Sequence, residues 1–480
     1  MLRHFHRSLV TCMVFLCLSL LGIVFVTTRS RLLEMYAPQA LLAANASESC
    51  VPRKNIVFLK THKCASSTVM NIFLRYGTEH GLNFVLPKSP STHYIGHPQM
   101  FSRRLVADIS RYNMTYNILT HHTRYNDEEV HALMPPDSVY VTIVRRPDSL
   151  FESLYSYCNL SEIFKRNLTM FARNRNLTGY LSRHREINDR VGLNQMSFDL
   201  GFKGPFDSEQ AVAKFVKKIA SVFHLVMLAD RLDESLVLLK HLLCWNTTDM
   251  VALKMNSRYS AFKEHLSNET KEQLLRLNSA DWQLYQYFDK VFDKKVKAFG
   301  VDRMAAEVKE LRAKQKEYYD RCVMAEESIE KLSPYDKRND VVAFKSKGKS
   351  KLCRSLTLTE REFDEEVKVI QEARIRQYLA SHKRARRRRR RRSSRVSRTA
   401  VSADGASRRK ARTDRSMSVP SCGWPSGVGV AGAPTGVTAA SEVATAYEVA
   451  TTGRVAVSAA VPACVIASPV AASTVTAAVD

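Results

Sequence analysis

Residues 55–68 read NIVFLKTHKCASST, and residues 139–157 read VYVTIVRRPDSLFESLYSY. In the first, NIVFLK is an apolar run of strand length, and from Ser67 onward Val69, Ile72, Phe73 and Tyr76 recur at helical spacing. A buried strand, a tight loop and a helix are therefore predicted. In the second, VYVTIV predicts another strand, Arg145 leaves it, and Pro147 suits the first turn of a helix that carries Ser153.

Working outward, YNILT (116–120) and HLVML (224–228) read as two more strands, and the leucines of DESLVLLKHLLCW (233–245) predict a core-packed helix. Repeated strand-then-helix order predicts an α/β domain with a central, largely parallel sheet flanked by helices. Such a sheet binds ligands beyond the carboxyl ends of its strands. Lys60, His62 and Lys63 follow the first strand, His121 and His122 the second, and Arg145 the third. Basic and imidazole groups thus gather where an anion would be held. Residues 280–321 read as charged helix beside the sheet.

The loop after the first strand carries the chemistry. A helix N-terminus offers free amides and a positive dipole end to an anion. Lys63 adds a point charge, and Ser66, Ser67 and Thr68 add hydroxyl donors. The loop has no glycine and lacks G-x-x-x-x-G-K-[ST], so it is no Walker loop and a nucleoside-triphosphate enzyme loses ground. The ordinary reading is a capped helix after a strand, since Ser and Thr are common caps. Arg145 with Ser153 would suit a terminal phosphate. Alone, that pair is as well read as a strand-end arginine and a solvent-facing serine.

The formal charge of +26, from 73 basic and 47 acidic residues, points to an anionic partner. From position 383 on there are 17 basic and 5 acidic residues, which places +12 in the tail and +14 in the body. Arginines fill positions 386–392, and the remainder is mostly Ala, Val, Ser, Thr and Gly, with little that could fold. The arginine run raises a nucleic-acid-binding alternative. Two features oppose it and predict no nucleic-acid partner. Residues 9–26 are an uncharged apolar run, long enough to cross a bilayer at about 1.5 Å per residue, which predicts an N-terminal transmembrane signal anchor. Asn45, Asn113, Asn159, Asn167, Asn176, Asn246 and Asn268 each begin an N-x-S/T triplet and are expected glycosylation sites on a lumenal body. A lumenal chain can form disulfides, with Cys50, Cys244, Cys322 and Cys353 as candidates and their pairing open. Cys244, inside LLCW, reads equally as a small buried hydrophobe. The expected layout is a cytoplasmic tail at 1–8, the anchor at 9–26, a stem at 27–53, a catalytic domain at 54–378 and a basic, then Ala/Val/Ser/Thr-rich tail at 379–480.

Together these segments resemble the galactose 3-O-sulfotransferase family. The markers are NIVFLKTHKCASSTVMNIFLRYG from Asn55, HHTRY from His121, VYVTIVRRPDSLFESLYSY from Val139, FDLGF from Phe198 and HLVMLADRLDESLVLLKHLLCW from His224. Weaker matches run through KMNSR from Lys254 and DWQLYQYFDKVFDKKVKAFG from Asp281 to LCRSLTLTE from Leu352. The resemblance implies a P-loop-like sulfotransferase fold, 3′-phosphoadenosine 5′-phosphosulfate (PAPS) as donor, and transfer to the 3-hydroxyl of galactose. The acceptor would be a galactosylceramide-like glycolipid or a galactose-terminated glycan, and the setting a single-pass Golgi membrane protein with its catalytic domain in the lumen. It implies that Lys63 with Ser66, Ser67 and Thr68 holds the 5′-phosphosulfate, that Arg145 and Ser153 hold the 3′-phosphate, and that Lys60 and His62 are needed for activity. Cys64 stands where the family usually has threonine, and Arg146 where acidic or amide residues are common.

A sugar hydroxyl is a poor nucleophile, so a base should take its proton as the sulfur–oxygen bond forms. His62 is the expected base, His122 its rival, and His121 reads as structural. Lys63 would stabilise charge on the leaving phosphate. No grouping of His and Cys has zinc-site spacing, and sulfuryl transfer needs no metal. The competing class is a catalytically inactive lumenal protein that binds acidic or sulfated glycans. Retention of Lys60, His62, Lys63, Arg145 and Ser153 argues against it.

Overall fold

A computed structural model describes residues 50–384, except 90, 91, 93, 184–190 and 349. The chain divides into two units. The first holds all described residues up to Ile375, and the second, Arg376–Ala460, is described only over 376–384, which are helical.

Four short strands, β1 (Ile56–Leu59), β2 (Ile118–Leu119), β3 (Val139–Val144) and β4 (Leu225–Leu228), form one sheet in the order β2-β1-β3-β4. Every pairing is parallel, with Ile56 beside both Ile118 and Val139, and Val144 beside Leu228. All four strands are buried along their whole length, as continuous apolar runs in a sheet covered on both faces must be. Two polar residues are tolerated because they bond across the ladder. Thr142 Oγ1 donates to the Leu59 carbonyl (2.9 Å), and Thr61 Oγ1 donates to the Ile143 carbonyl (2.5 Å). These bonds tie the end of β1 to β3, where the strand order reverses and α/β sheets form their crevice.

Helices α1 (Ser66–Glu79) and α2 (Pro147–Tyr157) follow β1 and β3, α3 (Glu209–Val222) leads into β4, and α4 (Leu232–Leu243) follows it. The sequence predicts one buried face for α1, yet Asn71 and Arg75 are buried as well. Arg75 is accommodated because Nε donates to Asn71 Oδ1 (2.9 Å) and Nη2 donates to the carbonyls of Val251 and Asp249. The charged stretch near 280–321 is two helices, α5 (Ser279–Phe299) and α6 (Val301–Cys322), joined by Gly300 at φ +97. Side chains rarely adopt that φ.

The second sheet was not expected from sequence. β5 (Val323–Ser328) and β6 (Val342–Ser346) pair antiparallel beside α7 (Lys351–Thr357), so the fold mixes parallel and antiparallel sheets. β5 reads VMAEES, with too few β-branched residues to announce a strand. Cys322–Cys353 crosses this region, and Cys50–Cys244 fastens the start of the described chain to the end of α4. Cys244 is thus a bridging residue. A disulfide typically stabilises by about 2–4 kcal/mol.

One expectation requires correction. Among the described residues no helix is long and apolar enough to cross a membrane. The apolar run at 9–26, on which the transmembrane anchor and the single-pass Golgi topology rested, lies outside the described residues. The α/β expectation therefore stands for the described residues, and the expected membrane helix is withdrawn from it. Asn45 also lies outside, whereas Asn113, Asn159, Asn167, Asn176, Asn246 and Asn268 are all exposed.

Candidate active site

The chain leaves β1 at Lys60 and turns into α1 through a loop without glycine. Lys63 (φ 56) and Ala65 (φ 58) supply the left-handed turns that glycine usually makes. Such backbone is costly for residues with a Cβ and persists where its surroundings enforce it. Here Arg145 Nη1 donates to the Lys63 carbonyl (3.0 Å), and Ser66 Oγ donates to the Thr61 carbonyl (2.6 Å). The capped-helix reading of this loop does not describe it, since the N-cap is Ala65 and no side chain caps α1. The Thr68 amide donates to the Ala65 carbonyl (3.1 Å), and no side-chain oxygen caps that end.

A cleft of about 530 Å³ opens at the carboxyl edge of the parallel sheet. Lys60, His62, Lys63, Ser66, Ser67, Thr68, His122, Arg145 and Ser153 all line it, so tertiary structure brings together every residue singled out above for donor binding or catalysis. Thr68 Oγ1 is partly committed, because it accepts from the Met255 amide (3.0 Å). His121 is elsewhere. It is buried against Asp364 (2.5 Å), which ties the helical residues 360–375 to the end of β2. Burial alone would raise the Asp364 carboxyl, but His121 and Lys368 outweigh it and hold the group at about 2.

Cations crowd around Lys63. The Lys63 ammonium stands 3.7 Å over the Tyr157 ring, which also carries the Arg338 guanidinium at 4.3 Å. Burial, followed by repulsion from Arg338, Arg258, Arg145 and Lys60, holds the Lys63 ammonium well below the usual lysine range. Arg258 is paired with Glu152, and Arg338 with Asp340. Among the described residues Lys63 and Arg145 have no carboxylate partner. These two members of the cluster lack a counter-charge, and an anionic ligand would supply it.

The opposite wall carries imidazoles. His62 Nδ1 donates to Asp199 Oδ2 (2.8 Å), which also accepts from the His62 amide (2.8 Å). The other carboxylate oxygen accepts from Gln195 Nε2 (2.7 Å) and His97 Nε2 (3.1 Å). Burial would raise the Asp199 carboxyl, but His62 and His97 overcome it and keep the group below the usual carboxylate range. With Nδ1 donating, the lone pair of His62 lies on Nε2, a buried atom with no hydrogen-bond partner among the described residues. That is the disposition of a base oriented by a carboxylate.

His122 is disposed differently. Its Nδ1 donates to the Lys60 carbonyl (3.1 Å), so Nε2 carries the lone pair, and Lys60 Nζ donates to it (2.6 Å). The nitrogen that could take a proton is already occupied by an ammonium. The His122 and His62 rings stack at 4.1 Å. Asp199 and His97 were not singled out from sequence, although Asp199 lies within FDLGF. Their partners are 137 and 102 positions away, and no local spacing signals such pairs.

One atom each from His62, His97 and Asp199 lies within 4.8 Å of the others, so these three could also hold a metal ion. Local spacing of His and Cys could not show this grouping. As they stand, the atoms that would ligate are hydrogen-bonded to one another. The expectation of a metal-free reaction therefore rests on the chemistry of sulfuryl transfer alone.

A profile of the galactose-3-O-sulfotransferase family matches residues 2–371. The chain belongs to that family. Human galactosylceramide sulfotransferase is 38% identical over 283 residues, covering 57% of this chain and 66% of the relative. Galactose-3-O-sulfotransferase 2 of Mus musculus is 35% identical over 285 residues, covering 57% and 70%, and galactose-3-O-sulfotransferase 3 of Bos taurus is 34% identical over 279 residues, covering 56% and 63%. The chain thus spans just under two thirds of the first relative's length. In this family member the loop residue Cys64 is a free, buried thiol bonded to the His62 carbonyl (3.2 Å). Burial pushes its titration far up, so the thiol is a packing group and not a nucleophile.

Proposed function

We propose that the chain transfers the sulfuryl group of PAPS to the 3-hydroxyl of a galactose on a glycolipid or glycan. The observation that carries this reading is the pairing, across one cleft, of uncompensated cations at Lys63 and Arg145 with a carboxylate-backed imidazole at His62. Family membership supports the same class of reaction. In this reading the donor's phosphosulfate lies at the α1 amides and Lys63, and its 3′-phosphate at Arg145 and Ser153. The acceptor hydroxyl gives its proton to His62 Nε2 as its oxygen bonds to sulfur. The bond from sulfur to the bridging oxygen breaks, and Lys63 meets the charge left on the bisphosphate. Asp199 holds the imidazole in its tautomer and stabilises the imidazolium that forms. No covalent enzyme intermediate is required, and positioning with electrostatics supplies the acceleration.

The test is incubation of the purified chain with labelled PAPS and a panel of galactosides, followed by assignment of the sulfated position. Label on the galactose 3-hydroxyl is expected. Tight bisphosphate binding with no transfer to any galactoside would instead favour the inactive binding protein.

Two further expectations attach to this reading. Arg145→Ala and Ser153→Ala should each raise KM for PAPS by about tenfold while kcat changes little, because contacts to a remote phosphate are made equally in ground and transition states. An unchanged donor KM with altered acceptor preference would remove both residues from the donor site. The catalytic body is taken as 54–378, since the lining of the cleft runs only from Lys60 to Arg361. Deleting residues 383–480 should therefore leave kcat/KM unchanged. Loss of activity in that variant, with the fold intact by circular dichroism, would refute the assignment.

A further inference from the structure

Two groups expected on the donor are already engaged by a carboxylate of the chain itself. Glu360 Oε1 accepts from Lys60 Nζ (2.8 Å), and Oε2 accepts from Ser67 Oγ (2.5 Å). Asn256 Nδ2 donates to Ser67 Oγ (3.0 Å) and reaches the same Glu360 oxygen at 3.4 Å. Glu360 opens the helical stretch that follows α7, and its side chain lines the cleft beside the start of α1. An acidic group has thus been brought from 293 positions away onto the anion-binding loop.

We propose that Glu360 is a specificity-determining residue of the donor site: an internal anion that the donor must displace from Lys60 and Ser67. The inference rests on the sulfotransferase reading of the cleft. Departure of Glu360 does not strand Lys60, which keeps His122 Nε2 as an acceptor at 2.6 Å. Ser67 Oγ goes on accepting from the Asn256 amide, and its hydroxyl hydrogen is freed for an oxygen of the donor. The departing carboxylate is only partly buried, with 17% of its side chain exposed, so it can turn toward water and recover hydration in place of its lost bonds. The donor gains from the exchange. Its terminal phosphate alone carries about −1.5 to −2 at neutral pH, and the phosphosulfate adds more. Among the described residues beside the loop, Lys63 and Arg145 already stand without a carboxylate partner, and release of Lys60 adds a further cation to them. A single small anion cannot compensate for losing the Glu360 bonds. A donor that also grips Arg145 and Ser153 can, and selectivity for the whole nucleotide over free sulfate or pyrophosphate follows.

The experiment titrates the full chain with 3′-phosphoadenosine 5′-phosphate by calorimetry, and repeats it with inorganic pyrophosphate. Relative to the native chain, Glu360→Gln should bind the bisphosphate about tenfold more tightly, equivalent to about 1.4 kcal/mol, and pyrophosphate should gain at least as much. A merely structural Glu360 would move affinity the other way. Equal or weaker bisphosphate binding by a folded Glu360→Gln chain overturns the proposal and leaves the sulfotransferase reading intact. Failure of the native chain to bind the bisphosphate overturns both. If Glu360→Gln does not fold, Glu360→Asp, which withdraws the carboxylate by one methylene, must show the same tightening, and its absence overturns the proposal.

Discussion

Replacing Lys63 with alanine is expected to abolish sulfuryl transfer, lowering kcat/KM by at least about 10²–10³-fold, and to weaken bisphosphate binding strongly. The ammonium stands at the end of β1, in a loop that Arg145 pins through the Lys63 carbonyl, and it has no carboxylate among the described residues. In the proposed reaction it is the group that would meet charge as the phosphate leaves. Stability should move differently from activity. Burial and four positive neighbours lower the Lys63 titration, so the folded state binds its proton less well than the unfolded state does. Below the usual lysine range that difference costs stability, and the cost fades as pH rises toward it. Alanine removes the cost, so the variant should melt no lower than the native chain. A bound anion also offsets it, so the bisphosphate should raise Tm more in the native protein than in Lys63→Ala. Near-normal turnover by the variant would remove Lys63 from the site, and a large fall in Tm would show that its part is structural.

The second large effect separates the two imidazoles. His62→Ala should lower kcat by about 10²–10⁴-fold while leaving bisphosphate affinity nearly unchanged, since its contribution arises at the transition state. Asp199→Asn should follow it in kcat, because an amide cannot both fix the Nδ1–H tautomer and balance the imidazolium. His122→Ala should act otherwise. It removes the acceptor for Lys60 Nζ and the ring stacked on His62, so it should raise acceptor KM or lower Tm. Added imidazole should restore part of the activity of His62→Ala and none of that of His122→Ala. If His122→Ala loses the chemical step while His62→Ala retains it, the assignment is reversed and His62 becomes a loop-structuring residue.

Much of this architecture is legible locally. The four parallel strands fall within the apolar runs at 55–60, 116–120, 139–144 and 224–228, because strands buried on both faces must be apolar throughout. Residues at their carboxyl ends then have to share one edge, which is why Lys60, His62, Lys63, His122 and Arg145 could be grouped before any contact was known. The family could likewise be read from those segments, since the strand, loop and helix start that carry its markers are contiguous in the chain. Tertiary structure alone decided the remainder. Asp199 and His97 are the second layer behind His62, and Glu360 reaches Lys60 from 300 positions away. The pairing of Cys50 with Cys244, and of Cys322 with Cys353, depended in the same way on which surfaces met. A hydrogen bond or ion pair is satisfied by geometry at about 3 Å, without regard to sequence separation. Periodicity and capping act only over a turn or two of chain. The sequence by itself therefore determined the sheet, its binding edge and the groups on it. Only the folded chain decided which of two histidines has a free lone pair backed by a carboxylate, and which cation is already neutralised.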